Sequence, residues 1–143
     1  MSRAQRWIGW LLVLGLVQGS TCRKADVRAG LNENVVLRRG QWVSFKSRPL
    51  EMAFLRVVQD SRCPKGVTCI RAGDAVVQFQ AKSAEGGVQT FLAPLPEGAP
   101  VDSIAWIPWS DYRVRVLKLE PYPEPSVAVD SSAYVVTFIV KKA

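Results

Sequence analysis

The strongest constraint on what this chain can fold into is the period of its hydrophobic pattern. Over residues 75–82, Val77, Phe79 and Ala81 alternate with Gln78, Gln80 and Lys82. Elsewhere the apolar residues also recur at every second position, in short β-branched runs. A period of two lines one face of a strand, whereas a helix face needs a period near 3.6. Gly, Pro, Ser and Asp, the residues that make turns, separate the runs. Residues 35–39, 42–46 and 52–59 read as the first three strands, with Gly40 and then Ser47, Arg48 and Pro49 between them. Residues 75–82, a turn at Gly86 and Gly87, and residues 88–92 read as a hairpin. A loop over 94–100, rich in Pro and Gly, leads to strands over 104–107 and, past Pro108, over 112–119. The parity of the apolar residues changes after Val116, which predicts a β-bulge there. Pro121, Pro123 and Pro125 cannot join a ladder. The last run, 134–140, is apolar on both faces and is expected at the centre of a sheet. Seven or eight such strands predict an all-β fold, an antiparallel β-sandwich, with a small closed β-barrel as the alternative. The sandwich is preferred because large apolar residues are spread evenly, which suits a filled interior, whereas barrels of this size usually enclose a ligand.

At the N-terminus, Arg3 and Arg6 precede an apolar run over residues 7–17 that ends in Gln18, Gly19, Ser20 and Thr21. This is the layout of a secretory signal peptide. The run is shorter than the roughly 20 apolar residues that a membrane-spanning helix needs. The expected division is a signal helix over 1–21, a flexible linker over 22–34 and one β-domain over 35–143. Removing 1–21 leaves 122 of the 143 residues, and losing Arg3 and Arg6 takes the formal charge from +7 to +5. That length suits one domain. A moderately basic surface without long basic runs, on an exported chain, argues against nucleic acid as a partner.

Export places the three cysteines in an oxidising space. Cys63 and Cys69 are close enough to close a short loop, with Pro64 and Gly66 supplying the turn, so a disulfide is expected. Chain-entropy arithmetic for a loop of about seven residues gives roughly 2 kcal/mol, which makes the bridge a local clip. Dithiol catalysts favour Cys-x-x-Cys spacing, and two thiols in a chain without His fall short of the usual four metal ligands. Cys22 follows the small residues that close the signal, where bacterial lipoproteins carry their acylated cysteine. Residues 17–22 resemble that signal in part, with Gly19 where Leu is typical and Thr21 where Gly or Ala is. Two readings stay open: acylation of Cys22, or ordinary cleavage near Gly19 or Thr21 that leaves it a free thiol.

Residues 54–79, with Asp60-Ser61-Arg62-Cys63-Pro64 before the bridge and Gly73-Asp74-Ala75 after it, resemble a family of uncharacterised bacterial envelope proteins. Many members of that family are predicted lipoproteins. A vaguer likeness extends over 117–123 and the final strand. The resemblance implies an exported β-domain, periplasmic or anchored to an envelope membrane, with a bridged connection between two strands. It implies no activity.

Within the motif, Asp60 and Asp74 are too few for a Ca2+ ion, which takes six to eight oxygens. They read as turn residues that pair with Arg62 or Arg71. Gly73 reads as a positive φ or a close approach. Lys65 stands where a protease inhibitor would present a basic residue on a rigid loop. A second candidate surface is Trp106, Trp109, Tyr112, Arg113 and Arg115, whose mixture of aromatics and cations suits sugar stacking or anion binding. Its competing reading is that both tryptophans pack in the core. Exposed coplanar rings beside a groove would favour binding, and buried rings would count against it. Without His the commonest general base is absent, and neither a serine elbow nor a Ser-x-x-Lys motif occurs. The expectation is a non-enzymatic envelope module with no cofactor and no metal, partnered by an envelope protein, a glycan or, through Cys22, the membrane. A glycan or anionic-ligand binding module and a protease inhibitor are the alternatives.

Overall fold

The computed structural model describes residues 27–84 and 87–143. The expected signal helix, Cys22 and part of the Gly86-Gly87 turn lie outside them. Among the described residues nine strands form: β1 Val27–Ala29, β2 Asn34–Arg38, β3 Trp42–Phe45, β4 Leu50–Asp60, β5 Asp74–Ser83, β6 Gly87–Pro96, β7 Ile107–Trp109, β8 Tyr112–Glu120 and β9 Val135–Lys142. A 3-10 turn, Val101–Ser103, precedes β7. One sheet has the order β1-β3-β4-β5-β6 and the other β2-β9-β8-β7. Every pairing is antiparallel except β1 with β3. This is the expected sandwich, and the sheets do not close into a barrel.

Alternation builds the interior. Val43, Met52, Phe54, Val77, Phe79 and Ala81 point inward from the five-stranded sheet, and Val35, Leu37, Val114, Val116, Phe138 and Val140 from the four-stranded one. Phe79 joins the two faces: its ring centroid lies 6.3 Å from that of Phe54, 5.7 Å from Phe91 and 4.9 Å from Phe138. The register of β8 against β9 shifts between Val116 and Lys118, the expected bulge. Leu117 is the extra residue, after which Leu119 returns to the core. β9 lies between β2 and β8, at the expected central place.

Three readings need correction. The stretch 22–34 was expected as a linker, yet Val27–Ala29 forms β1 with Ala29 buried; three residues are too few for a period to stand out. β6 runs on through Pro94 and Pro96, expected as loop. It is an edge strand with β5 as its ladder partner, and an edge tolerates a missing N–H. β7 spans Ile107–Trp109 rather than 104–107, and Ile104 is buried just after the 3-10 turn.

The ends of β4, β6 and β8 and the starts of β5 and β9 meet at one end of the sandwich. Asp60 faces Ala75, Asp74 faces Pro96, and Glu120 faces Val135. The bridged connection stands there.

Candidate functional site

The chain between Asp60 and Asp74 is first zipped at its base. The Ser61 N–H donates to the Asp74 carbonyl at 2.8 Å, and the Asp74 N–H donates to the Ser61 hydroxyl at 3.1 Å. The Asp74 carboxylate accepts from Gln59 at 2.9 Å and from the Ser61 hydroxyl at 3.0 Å. At Gly73 the opposing backbone comes so near that a Cβ would sit 1.7 Å from the Ser61 carbonyl oxygen. Of the two readings of Gly73, close approach is the one that holds. Cys63 and Cys69 then close the loop as the expected disulfide, with Cα atoms 5.9 Å apart.

Arg62 turns inward and is only 6% exposed. Its Nε and Nη2 grip the Asp60 carboxylate at 2.8 and 2.7 Å. Nη1 donates to the Leu119 carbonyl at 2.7 Å and Nη2 to the Pro121 carbonyl at 3.0 Å. A side chain leaving the five-stranded sheet therefore bonds the backbone at the end of β8 in the other. The guanidinium also lies 4.9 Å from the Tyr122 ring centroid, and Tyr134 donates its hydroxyl to Asp60 at 3.0 Å. Burial by itself would raise the Asp60 pKa, but hydrogen bonds from Arg62 and Tyr134, with the Arg62 charge, outweigh it and hold the carboxyl below its usual value. For Arg62, burial works downward and the bonds and charge of Asp60 overcome it, so its pKa is raised. Burial, together with the Asp60 carboxylate, pushes the Tyr134 hydroxyl up to about 12.

Glu97, just beyond β6, is the second anchor. Its Oε2 accepts the Cys63 N–H at 2.8 Å and the Gly73 N–H at 3.0 Å, and so bridges the two ends of the loop. Its Oε1 accepts the Tyr122 hydroxyl, and its own N–H donates to the Gly73 carbonyl at 3.0 Å. The Cys63 N–H foremost, then Tyr122 and Gly73, lower the Glu97 pKa; the Tyr122 bond to Glu97 raises that hydroxyl. Farther along the loop, the Lys65 N–H donates to the Pro123 carbonyl at 3.0 Å. The Lys65 ammonium lies 3.7 Å from Glu124, with both side chains more than half exposed. Between the loop and Glu97, Gly98 and Tyr122 lies a concavity of about 500 Å3. A second, of about 400 Å3, opens on the other flank of Glu97 toward Ile104 and Leu117. Away from its base the loop is exposed: Ile70 is 103% exposed and Val67 45% exposed, Lys65 and Arg71 are exposed as well, and Lys65, Val67 and Arg71 stand on the rim of the first concavity.

Glu97 and Tyr122 escaped sequence reasoning. A lone acid between Pro96 and Gly98 reads as a solvated turn, and its bond to Cys63 spans 34 residues. No local signal marks it.

The second candidate surface divides. Trp109 is 6% exposed and packs in the core. Its ring stacks with Phe91 at 6.3 Å and Tyr112 at 6.2 Å, and its Nε1 donates to Gln89 at 3.2 Å. Trp106 is half-buried, with the Arg115 guanidinium 4.2 Å and the Lys141 ammonium 4.1 Å from its ring centroid. An odd spacing of three on extended chain sends the two rings to opposite faces, so they form no exposed coplanar pair. Trp106, Arg113 and Arg115 thus share the outer face of the four-stranded sheet with Lys141, which is the register partner of Arg113. Arg115 donates from Nη1 to the Val101 carbonyl at 3.0 Å, lies 4.0 Å from Asp102, and has a buried Nε without a partner among the described residues.

Among the described residues no three Cys, Asp or Glu side chains gather as metal ligands. No protein-family model matches this chain, and no curated protein or solved structure matches it either.

Proposed function

We propose that this chain is a non-enzymatic, exported domain of the bacterial envelope whose cystine loop is its binding element. The observation that carries the reading is the contrast between a heavily secured loop base and an exposed apolar tip. The disulfide, Glu97 and the Lys65–Pro123 bond hold the backbone, while Ile70 is left standing in solvent. A loop ordered in advance loses less entropy on binding. The groups beneath it support a structural role. Asp60 and Glu97 are pulled below their usual pKa and Tyr122 and Tyr134 above theirs. None is thereby poised to exchange a proton near neutrality, as a general acid or base would be. The disulfide suits an oxidising compartment.

Expression of the full chain in a bacterial host, followed by fractionation and intact-mass measurement, tests this. The expected product lacks residues 1–21, carries an acyl mass on Cys22 and sits in the envelope fraction, and the Cys22→Ser chain carries no acyl mass. An unprocessed chain retained in the cytoplasm would overturn the reading.

The anionic-ligand alternative keeps one observation. Arg113, Arg115 and Lys141 gather beside Trp106, with Asp102 reaching Arg115 only at 4.0 Å. Cations held against the ring suit an anion better than a neutral sugar. Titration with a sulfated oligosaccharide, compared between the natural chain and Arg115→Ala, checks it.

A further inference from the structure

We infer that the cystine loop is a membrane-contacting finger whose tip enters the headgroup region of an anionic bilayer. The inference rests on the loop being the binding element and names its partner. Between Ser61 and Gly73 the chain carries Arg62, Lys65 and Arg71 and no acid. Arg62 is consumed by Asp60 and the β8 carbonyls, which leaves Lys65 and Arg71 flanking the exposed Val67 and Ile70. Apolar side chains at an exposed tip with cations around them are what an interfacial contact requires. The apolar groups reach the boundary of the acyl region, and Lys and Arg meet lipid phosphates. The neighbouring acids do not cancel this. The Glu97 carboxylate is turned to the N–H groups of Cys63 and Gly73, and Glu124 meets Lys65 only loosely at 3.7 Å.

The exported chain carrying Cys22→Ser, so that no acyl group contributes, is sedimented with vesicles of phosphatidylcholine alone or of phosphatidylcholine mixed with phosphatidylglycerol. Binding is expected on the phosphatidylglycerol vesicles and is expected to weaken with salt. Ile70→Ser with Val67→Ser should lower the partition roughly tenfold or more, and Lys65→Glu with Arg71→Glu should do the same by reversing the charge. All arms share one N-terminus, so differences between them report the loop; circular dichroism confirms that these surface variants fold. No binding to anionic vesicles overturns the inference. So does unchanged binding of the loop variants, or loss of binding on Arg113→Glu with Arg115→Glu while the loop variants bind normally. If vesicles fail but Ile70→Ser abolishes a crosslink to an envelope protein, the finger falls and the loop remains a binding element. If the crosslink too is absent, the proposed function falls with it.

Discussion

Removing the Arg62 side chain strands the Asp60 carboxylate, which is nearly as buried as its partner, and frees the Leu119 and Pro121 carbonyls. Breaking a buried pair from one side is costly, so Arg62→Met should destabilise the fold by about 3 kcal/mol or more. An unfolding free energy in urea that falls by less than a third of that would contradict the role assigned to it. Gly73→Ala puts a methyl group into the Ser61 carbonyl, which is backbone and cannot step aside. A loss of about 2 kcal/mol is expected from the forced shift, measured in the same way. The pH dependence has two limbs of opposite sign. Asp60 and Glu97 have folded pKa values below their ordinary 3.8 and 4.5. Their stabilisation is present above those values and is lost as pH falls below them. Tyr134 is raised from 10.0 to about 12, so its contribution is complete below pH 10 and disappears as pH rises through 12. The denaturation midpoint should therefore form a plateau between the two limbs. Glu97→Gln should flatten part of the acid limb and Tyr134→Phe part of the alkaline one, and a profile unchanged in both variants would refute the assignment.

At the level of elements, the bridge acts on a loop that other contacts already hold. Cys63→Ser with Cys69→Ser should cost about 2 kcal/mol, the entropy of a loop of this length. The far-UV circular dichroism should stay unchanged, and a new protease-sensitive site should appear within 64–72. Collapse of the sheets in that variant would show that the loop clamp is not independent of the bridge. What could be read from the residues follows the range of the interactions. Cys63 and Cys69 are six apart, the β8 bulge is a local change of parity, and the central β9 announces itself by apolar residues on both faces. The pairing of Arg62 with a motif aspartate was legible and is met at Asp60, but its burial was not, because the carbonyls that receive it lie 57 and 59 residues away. Pro94 and Pro96 read as loop because nothing local distinguishes an edge strand from a central one. The division of Trp106 from Trp109 follows from their spacing only once that segment is known to be extended.

For the molecule as a whole, the sheets are joined through Phe79, which meets rings from its own sheet and from β9. Phe79→Ala should remove about 3 to 5 kcal/mol, a large share of the roughly 5–15 kcal/mol of an ordinary domain. Leu92→Ala on the outer side of β6, where the side chain is half exposed, should cost well under about 1 kcal/mol. Thermal melts of the two separate a filled interior from an open one. The parallel pairing of β1 has a mechanical side. Val27 stands level with Met52, two residues from the Leu50 end of β4, and β9 carries the chain to Lys142 opposite Tyr112, so the first and last described residues both lie at the end of the sandwich away from the cystine loop. A pull between them runs across the strands. It loads the three-residue β1–β3 ladder by peeling its bonds apart in turn, and it leaves the cystine-loop end unloaded.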